Sequence, residues 1–411
     1  MTPDKAPPFS GYQKMIVAAL AGMLFTIVVD YMTLPALSAI LLPELQISTK
    51  EFGWIVSAYA FSAGISGFLA TGFADSFDRK KLLLLYYGGF LLGMLLCTVA
   101  NSLIALLLAR VVSGIFGGVV ASICYAMVAD LFAADQRGRV MGFVQLAFAG
   151  GLVAGLPLAL LLATNVDWHL PYLALFLLGL ILLSTVYFVI KPLDGQLRRE
   201  RTSPSPQHSL AVIKNQQYWA LLANNVFLVL GDVMFMTFSS AYLTNNLGVS
   251  VDNLPIVFGL GGLATILCSP LIGRATDRYG KWWVFVVATV LTIVAVAFFS
   301  NLGNVAFGLV ATVHTLLFVG INARMIAATA MTTMVPKRSD RGAFMALDAA
   351  LQQLAGGVAA VAVGWIVYQT ASGYVERYPA LGAVVIGVMI LSLWLMHKVQ
   401  VMIKERLTAA E

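Results

Sequence analysis

Asp30 stands in the stretch FTIVVDYM, inside an apolar run from Met15 to about Leu42. A run of that length crosses a hydrocarbon core of roughly 30 Å at 1.5 Å per residue. A charge at the centre of such a helix costs about 2.5–3.5 kcal/mol on insertion scales, so this carboxylate is read as functional and in need of a partner. Arg110, in RVVSGIFGG, lies at a similar depth in another apolar run. A guanidinium holds a neighbouring carboxylate in its charged form, and withdrawing it in a dry setting lets the carboxylate take a proton. Asp30 and Arg110 are therefore the expected proton-coupling pair, with a permanent structural ion pair as the alternative.

Asp232 lies at the depth of Asp30 in a later apolar run, and Asn225 precedes it by one heptad on the same helix face. A second proton site, a cation site and a hydrogen-bonded polar group all fit Asp232. By depth, Tyr31, Tyr59, Gln145, Phe148, Asn225 and Phe235 are expected to line a substrate cavity. Arg324 and Asp348 fall at similar depth toward the ends of two late runs and are expected to pair and hold one state of a gate. His314 could titrate near neutral pH or sit hydrogen-bonded in the interior. Cys97, Cys124 and Cys268 show no metal-ligand spacing, so no metal or cofactor is expected.

The elements that must position these groups are membrane spans. Hydrophobic residues make up 60% of the 411-residue chain and charged ones 11%, against about 25% charged in soluble domains. Long apolar runs between breaks predict an all-α membrane protein with twelve transmembrane helices. They cover about 15–41, 52–73, 82–100, 104–131, 140–163, 170–190, 217–244, 254–274, 282–300, 305–333, 343–368 and 380–402. The first run is too long for a removed signal peptide and is read as a retained span. Of the 25 Lys and Arg, only Lys50 and Arg377 fall on outer loops if both termini are cytoplasmic, with Arg110 and Arg324 inside spans. That bias predicts both termini inside and accounts for the net charge of +6 through anionic lipid, with no nucleic-acid partner.

The one long polar stretch, 191–216, separates an N-terminal six-helix bundle, 1–190, from a C-terminal one, 217–411. The bundles are copies. A shift of 202 residues lays FTIVVDYM (25–32) on FLVLGDVM (227–234), matching Asp30 with Asp232. The same shift lays Asp75 and Arg79 on Asp277 and Lys281. A shift of 204 lays the Arg-Gly of 137–138 on that of 341–342. Parallel six-helix repeats with a midplane site between them are an architecture of secondary transporters.

The loop after the second span, T-G-F-A-D-S-F-D-R-K at 71–80, resembles the signature of the major facilitator superfamily. G-R-A-T-D-R-Y-G-K at 273–281 resembles it more closely. The resemblance covers essentially the whole chain and implies the fold of two pseudo-symmetric six-helix bundles. It also implies a cytoplasmic charge clasp, here Asp75, Arg79, Lys80 and Asp130 with Asp277, Arg278 and Lys281 in the second copy. The Arg110 to Gly118 stretch is similar to the family's proton-coupling motif. Gly150 to Pro157 looks like a variant of its exporter motif, with Leu156 inserted before the proline.

These resemblances, in the drug:proton-antiporter-like branch (sugar/drug efflux permeases), imply a proton-coupled exporter of small organic or drug-like compounds in a bacterial inner membrane, working as a monomer. Proton-driven uptake of a small metabolite and export of an amphiphile such as a lysolipid or siderophore are the alternatives. No HExxH, GxSxG, P-loop or Cys/His cluster supports an enzyme.

Overall fold

The computed structural model describes residues 9–70, 77–132, 134–190, 215–337 and 340–408. The side chains of 134, 135, 145, 146, 148, 216, 217, 341 and 406–408 are not among those described. Asp75 and the linker from 191 to 214 lie outside the described residues.

The chain begins with α1 (Gly11–Ala36), opened by a capping box. Ser10 Oγ accepts from the Gln13 amide at 3.1 Å, and the Ser10 amide donates to Gln13 Oε1 at 3.0 Å. Then follow α2 (Ser38–Glu44), α3 (Thr49–Ala70), α4 (Arg79–Thr98) and α5 (Leu103–Leu131). Asp78 and Ser102 cap α4 and α5. The fifth crossing is α6 (Ala134–Gly150), a π turn (Gly151–Gly155) and α7 (Leu156–Asn165), and the sixth is α8 (Leu170–Val189). The second half runs α9 (Gln216–Met236), α10 (Ser239–Asn245), α11 (Leu254–Tyr279), α12 (Lys281–Ser300), α13 (Phe307–Thr332), α14 (Arg341–Ile366) and α15 (Tyr378–Thr408). Among the described residues eleven segments are long and apolar enough to cross a membrane, and the end-to-end run 134–165 supplies the twelfth crossing.

Three departures from the expected spans have local causes. The first span is two helices, because Pro35 has no amide to donate and the chain turns at Leu37. Its counterpart breaks between Met236 and Ser239, where Thr237, the residue 202 positions after Pro35, turns its hydroxyl back onto the Val233 carbonyl at 2.7 Å. In the fifth span the amide of Leu156 bonds the carbonyl of Gly151. That i→i+5 turn takes one residue more than an α turn, which accommodates the inserted Leu156. A short hairpin, β1 (Tyr368–Gln369) against β2 (Val375–Glu376), was too brief to leave a period in the sequence.

Twelve crossings put both chain ends on one side, called here the termini face. At the opposite, far face one apolar core draws on both halves, joining Leu34, Leu37 and Phe52 to Phe238, Tyr242 and Val363. Toward the termini face each half has its own core, around Leu83 and Met127 in the first and around Leu221 and Phe344 in the second. The halves thus share one apolar core at the far face and have separate cores below it. α3 lies along α14, and the π turn with α7 lies along α11. Both seams need glycine: a Cβ on Gly364 would meet the Thr49 carbonyl at 2.6 Å, and one on Gly262 the Leu152 carbonyl at 2.6 Å.

Candidate functional site

Between α1 and α5 of the first half, Arg110 Nη1 donates to Asp30 Oδ1 at 2.7 Å, with side chains 1% and 0% exposed. Glycines on α5 make this possible. A Cβ on Gly117 would come within 2.8 Å of the Tyr59 hydroxyl and one on Gly118 within 2.6 Å of Ala63, so α5 seats closely on α3. The Arg110 guanidinium then lies 4.6 Å from the centre of the Tyr59 ring, and the Tyr31 ring packs against Tyr59 at 5.7 Å.

A second pair joins the corresponding spans of the second half. Arg324 Nη1, on α13, donates to Asp232 Oδ1, on α9, at 2.9 Å. The expected Arg324–Asp348 gate pair is therefore corrected: Arg324 belongs to Asp232. The two arginines are not repeat mates. Arg110 lies seven residues past the start of its helix and Arg324 seventeen past the start of its own, so each reaches its aspartate from the opposite direction along the bundle. The place in α13 that corresponds to Arg110 holds His314.

Both pairs are single-point contacts. An arginine can meet a carboxylate through two parallel bonds, but Asp30 Oδ2 and Arg110 Nε lack hydrogen-bond partners among the described residues. So do Asp232 Oδ2 and Arg324 Nε and Nη2. Each aspartate thus keeps a second oxygen that no donor among the described residues occupies.

Asp348 sits elsewhere, 3% exposed on α14, and among the described residues its oxygens accept from amides alone. Asn225 Nδ2 donates to Oδ1 at 2.9 Å and to Oδ2 at 3.1 Å, and Gln352 Nε2 donates to Oδ2 at 2.8 Å. Asn225, expected on the cavity wall, is thus engaged with Asp348.

Other expected residues scatter. Phe235 does not face a cavity. It is 0% exposed, packed between Phe299 at 5.6 Å and Tyr378 at 5.7 Å, because it lies on the far-face side of Asp232 where the common core begins. Gln145 and Phe148 are carried on α6, but their side chains are outside those described. Of the clasp, Arg79 Nε meets Asp130 Oδ2 at 3.5 Å. Lys80 turns away and donates to the Tyr187 carbonyl at 2.7 Å, which removes it from the expected cluster. In the second copy Asp277 and Arg278 are exposed, and among the described residues no ion pair joins them or Lys281.

One residue departs from its expected setting and one contact escaped the sequence reading. Among the described residues neither ring nitrogen of buried His314, expected to titrate or to be hydrogen-bonded, has a hydrogen-bond partner, and the ring is enclosed by Phe258, Phe299 and Phe318 at 5.0, 6.0 and 4.9 Å. Ser38 and Ser240 meet at the far face, and their 202-residue spacing was a signal present in the sequence.

A family model described as the Major Facilitator Superfamily matches residues 19–231 and 221–406. The uncharacterized MFS-type transporter YbcL of Bacillus subtilis (strain 168) is 24% identical, covering 83% of this chain and 86% of that one. The bicyclomycin resistance protein homolog of Haemophilus influenzae is 24% identical over 58% of this chain and 60% of its own. Among solved structures, a mutant of the nucleoside transporter NupG superposes with a TM-score of 0.73 at 13% identity, covering 93% of this chain and 99% of that one. A bacterial homolog of the human lysosomal transporter Spinster, in an inward-facing, unoccupied conformation, gives 0.70 at 15% identity, over 95% of this chain and 96% of that one.

Proposed function

Because the chain belongs to the Major Facilitator Superfamily, and so is an integral membrane transporter of small molecules rather than an enzyme, we propose that it exports drug-like organic compounds in exchange for protons. The observation that carries this reading is the two half-made ion pairs, Asp30–Arg110 and Asp232–Arg324, buried within the bundles. Resistance proteins among the relatives support the outward direction.

In this proposal the termini face is the cytoplasmic side of a bacterial inner membrane, as the distribution of Lys and Arg favours. The chain acts as a monomer of two bundles, 1–190 and 217–411, joined by 191–216. The arrangement described above is then the state open to the cytoplasm. Substrate enters between the separate lower cores, and rocking of the halves opens the far face. There Asp30 gives up Arg110 and takes a proton from outside. On return Arg110 re-forms the pair and expels the proton inward. Asp30 carries the coupling proton in this cycle, and Asp232 is its counterpart in the second half.

The test uses inside-out vesicles holding an acid-inside gradient, challenged with ethidium, tetracycline and a panel of neutral and amphiphilic compounds. Proton exchange predicts that a transported compound dissipates the gradient only when the protein is present. Labelled compound that moves without any change in the gradient would refute the coupling.

A further inference from the structure

Asp348 differs from the other two buried aspartates of the core. Asp30 and Asp232 each have an arginine, whereas among the described residues no cation lies within ion-pair distance of Asp348. Its surroundings are nevertheless built for a charged carboxylate. Among the described residues all three hydrogen bonds it receives come from amide N–H groups, and an ionised carboxylate only accepts.

Asn225 is itself fixed. Its Oδ1 accepts from Asn224 Nδ2 at 3.3 Å, and its Nδ2 also donates to Thr332 Oγ1 at 3.3 Å, whose own proton goes to the Ala328 carbonyl at 2.8 Å, so the Asn225 amide nitrogen faces Asp348. Asn224 is held in turn by the Ser392 hydroxyl at 2.9 Å. Four helices, α9, α13, α14 and α15, thus contribute to one polar chain that ends on a carboxylate. A buried charge so arranged, with no counterion, leaves a desolvation cost that a cation would relieve. Oδ1 takes one bond from Asn225 and retains acceptor capacity for another donor.

The chain opens toward the seam between the halves. Gln352, one turn beyond Asp348, is half-buried where the rest of the chain is buried. Another turn on, a Cβ at Gly356 would meet the Tyr31 hydroxyl at 3.4 Å and Val233 at 3.7 Å, so this stripe of α14 looks onto α1 and α9. Asn225 lies one heptad closer to the termini face than Asp232, about 10 Å along the helix, so a compound arriving from that face meets Asp348 first.

We propose that Asp348, held by Asn225 and Gln352, is a binding point for the protonated amine of a transported compound. It is the first contact on the way to the two ion pairs. The inference rests on the reading of the chain as a transporter entered from the termini face, but not on proton coupling.

The test is protection from labelling. In the purified full-length protein Cys97, Cys124 and Cys268 are replaced by alanine, and Gln352→Cys places a thiol beside Asp348 while Asn225 still holds both carboxylate oxygens. Its reaction with N-ethylmaleimide is timed with benzylammonium, benzyl alcohol or benzoate present. The proposal expects benzylammonium alone to slow labelling several-fold. That protection should disappear in Asp348→Asn and remain in Asp348→Glu, which also controls for a fold damaged by the first change. Equal protection by benzyl alcohol, protection that survives Asp348→Asn, or no protection at all would overturn it. A protein that shows the protection yet moves no protons would fail the exchange reading and keep this one.

Discussion

Ser38 and Ser240 bond to each other across the two halves at the far face. Their hydroxyl oxygens are 2.8 Å apart, and each hydroxyl also accepts an amide of the other helix: Ala39 donates to Ser240 Oγ at 3.2 Å and Ala241 to Ser38 Oγ at 3.3 Å. The two residues are 202 positions apart, the spacing that relates Asp30 to Asp232. A residue can touch its own repeat mate in this reciprocal way only on the pseudo-two-fold axis, so this contact marks the axis at the far face. Thr49 strengthens the same closure, its hydroxyl donating to the Gly364 and Val367 carbonyls at 3.2 and 2.8 Å.

If the far face opens during transport, this contact must break. The double variant Ser38→Cys/Ser240→Cys should form a disulfide on mild oxidation, since hydroxyls at this separation place their Cβ atoms about 4–5 Å apart, close to disulfide range. Transport should stop in the oxidised protein and return on reduction. Full transport by fully cross-linked protein would show that the far face does not open here.

The two ion pairs should behave as coupled units. Arg110→Gln or Arg324→Gln alone leaves a buried carboxylate unpaired and should cost about 3–5 kcal/mol if that group stays charged. Asp232→Asn with Arg324→Gln should recover much of the loss. A double-mutant cycle on thermal unfolding in detergent measures this, and additive effects would mean the partners do not act together.

Arg79 and Asp130 make a half-exposed contact of 3.5 Å, which belongs to the class worth no more than about 1 kcal/mol. Asp130→Asn should therefore leave the unfolding temperature nearly unchanged while slowing transport, because a clasp between states acts on their balance. Unfolding and initial transport rates separate the two effects, and a large loss of stability would make the pair structural.

Among the described residues buried His314 has no hydrogen-bond partner, so replacing its ring by an apolar one of similar shape removes an unmet polar demand. His314→Phe should stabilise the protein by about 1–3 kcal/mol. Increased stability with transport intact would mark His314 as a packing residue. Increased stability with transport lost would show that the ring nitrogens are needed in another state of the cycle.

Much of this was legible in the sequence. Run length and composition implied the spans, and a single offset paired Asp30 with Asp232. The expense of a charge in lipid pointed Asp30 toward Arg110. The partner of Arg324 was missed because depth counted along the chain took no account of which spans face each other. The Asp30–Arg110 reading already set the first span against the fourth, and applying the repeat to it would have set Asp232 against the tenth span, where Arg324 lies. Phe235 was misplaced for a related reason: three residues beyond Asp232 the two halves share a core, and a shared core leaves no mark in local pattern. The amide chain around Asp348 draws on four helices, and only their packing brings it together.

In the proposed cycle Asp30 couples proton to substrate. The most direct measurement compares wild type with Asp30→Asn in proteoliposomes, using a compound found to dissipate the gradient. Gradient-driven accumulation is recorded beside substrate-for-substrate exchange at equal pH. Coupling through Asp30 predicts that the variant loses accumulation and keeps exchange, since an uncharged side chain can neither release a proton nor require one for the halves to rock. Accumulation at the wild-type level in Asp30→Asn would contradict it.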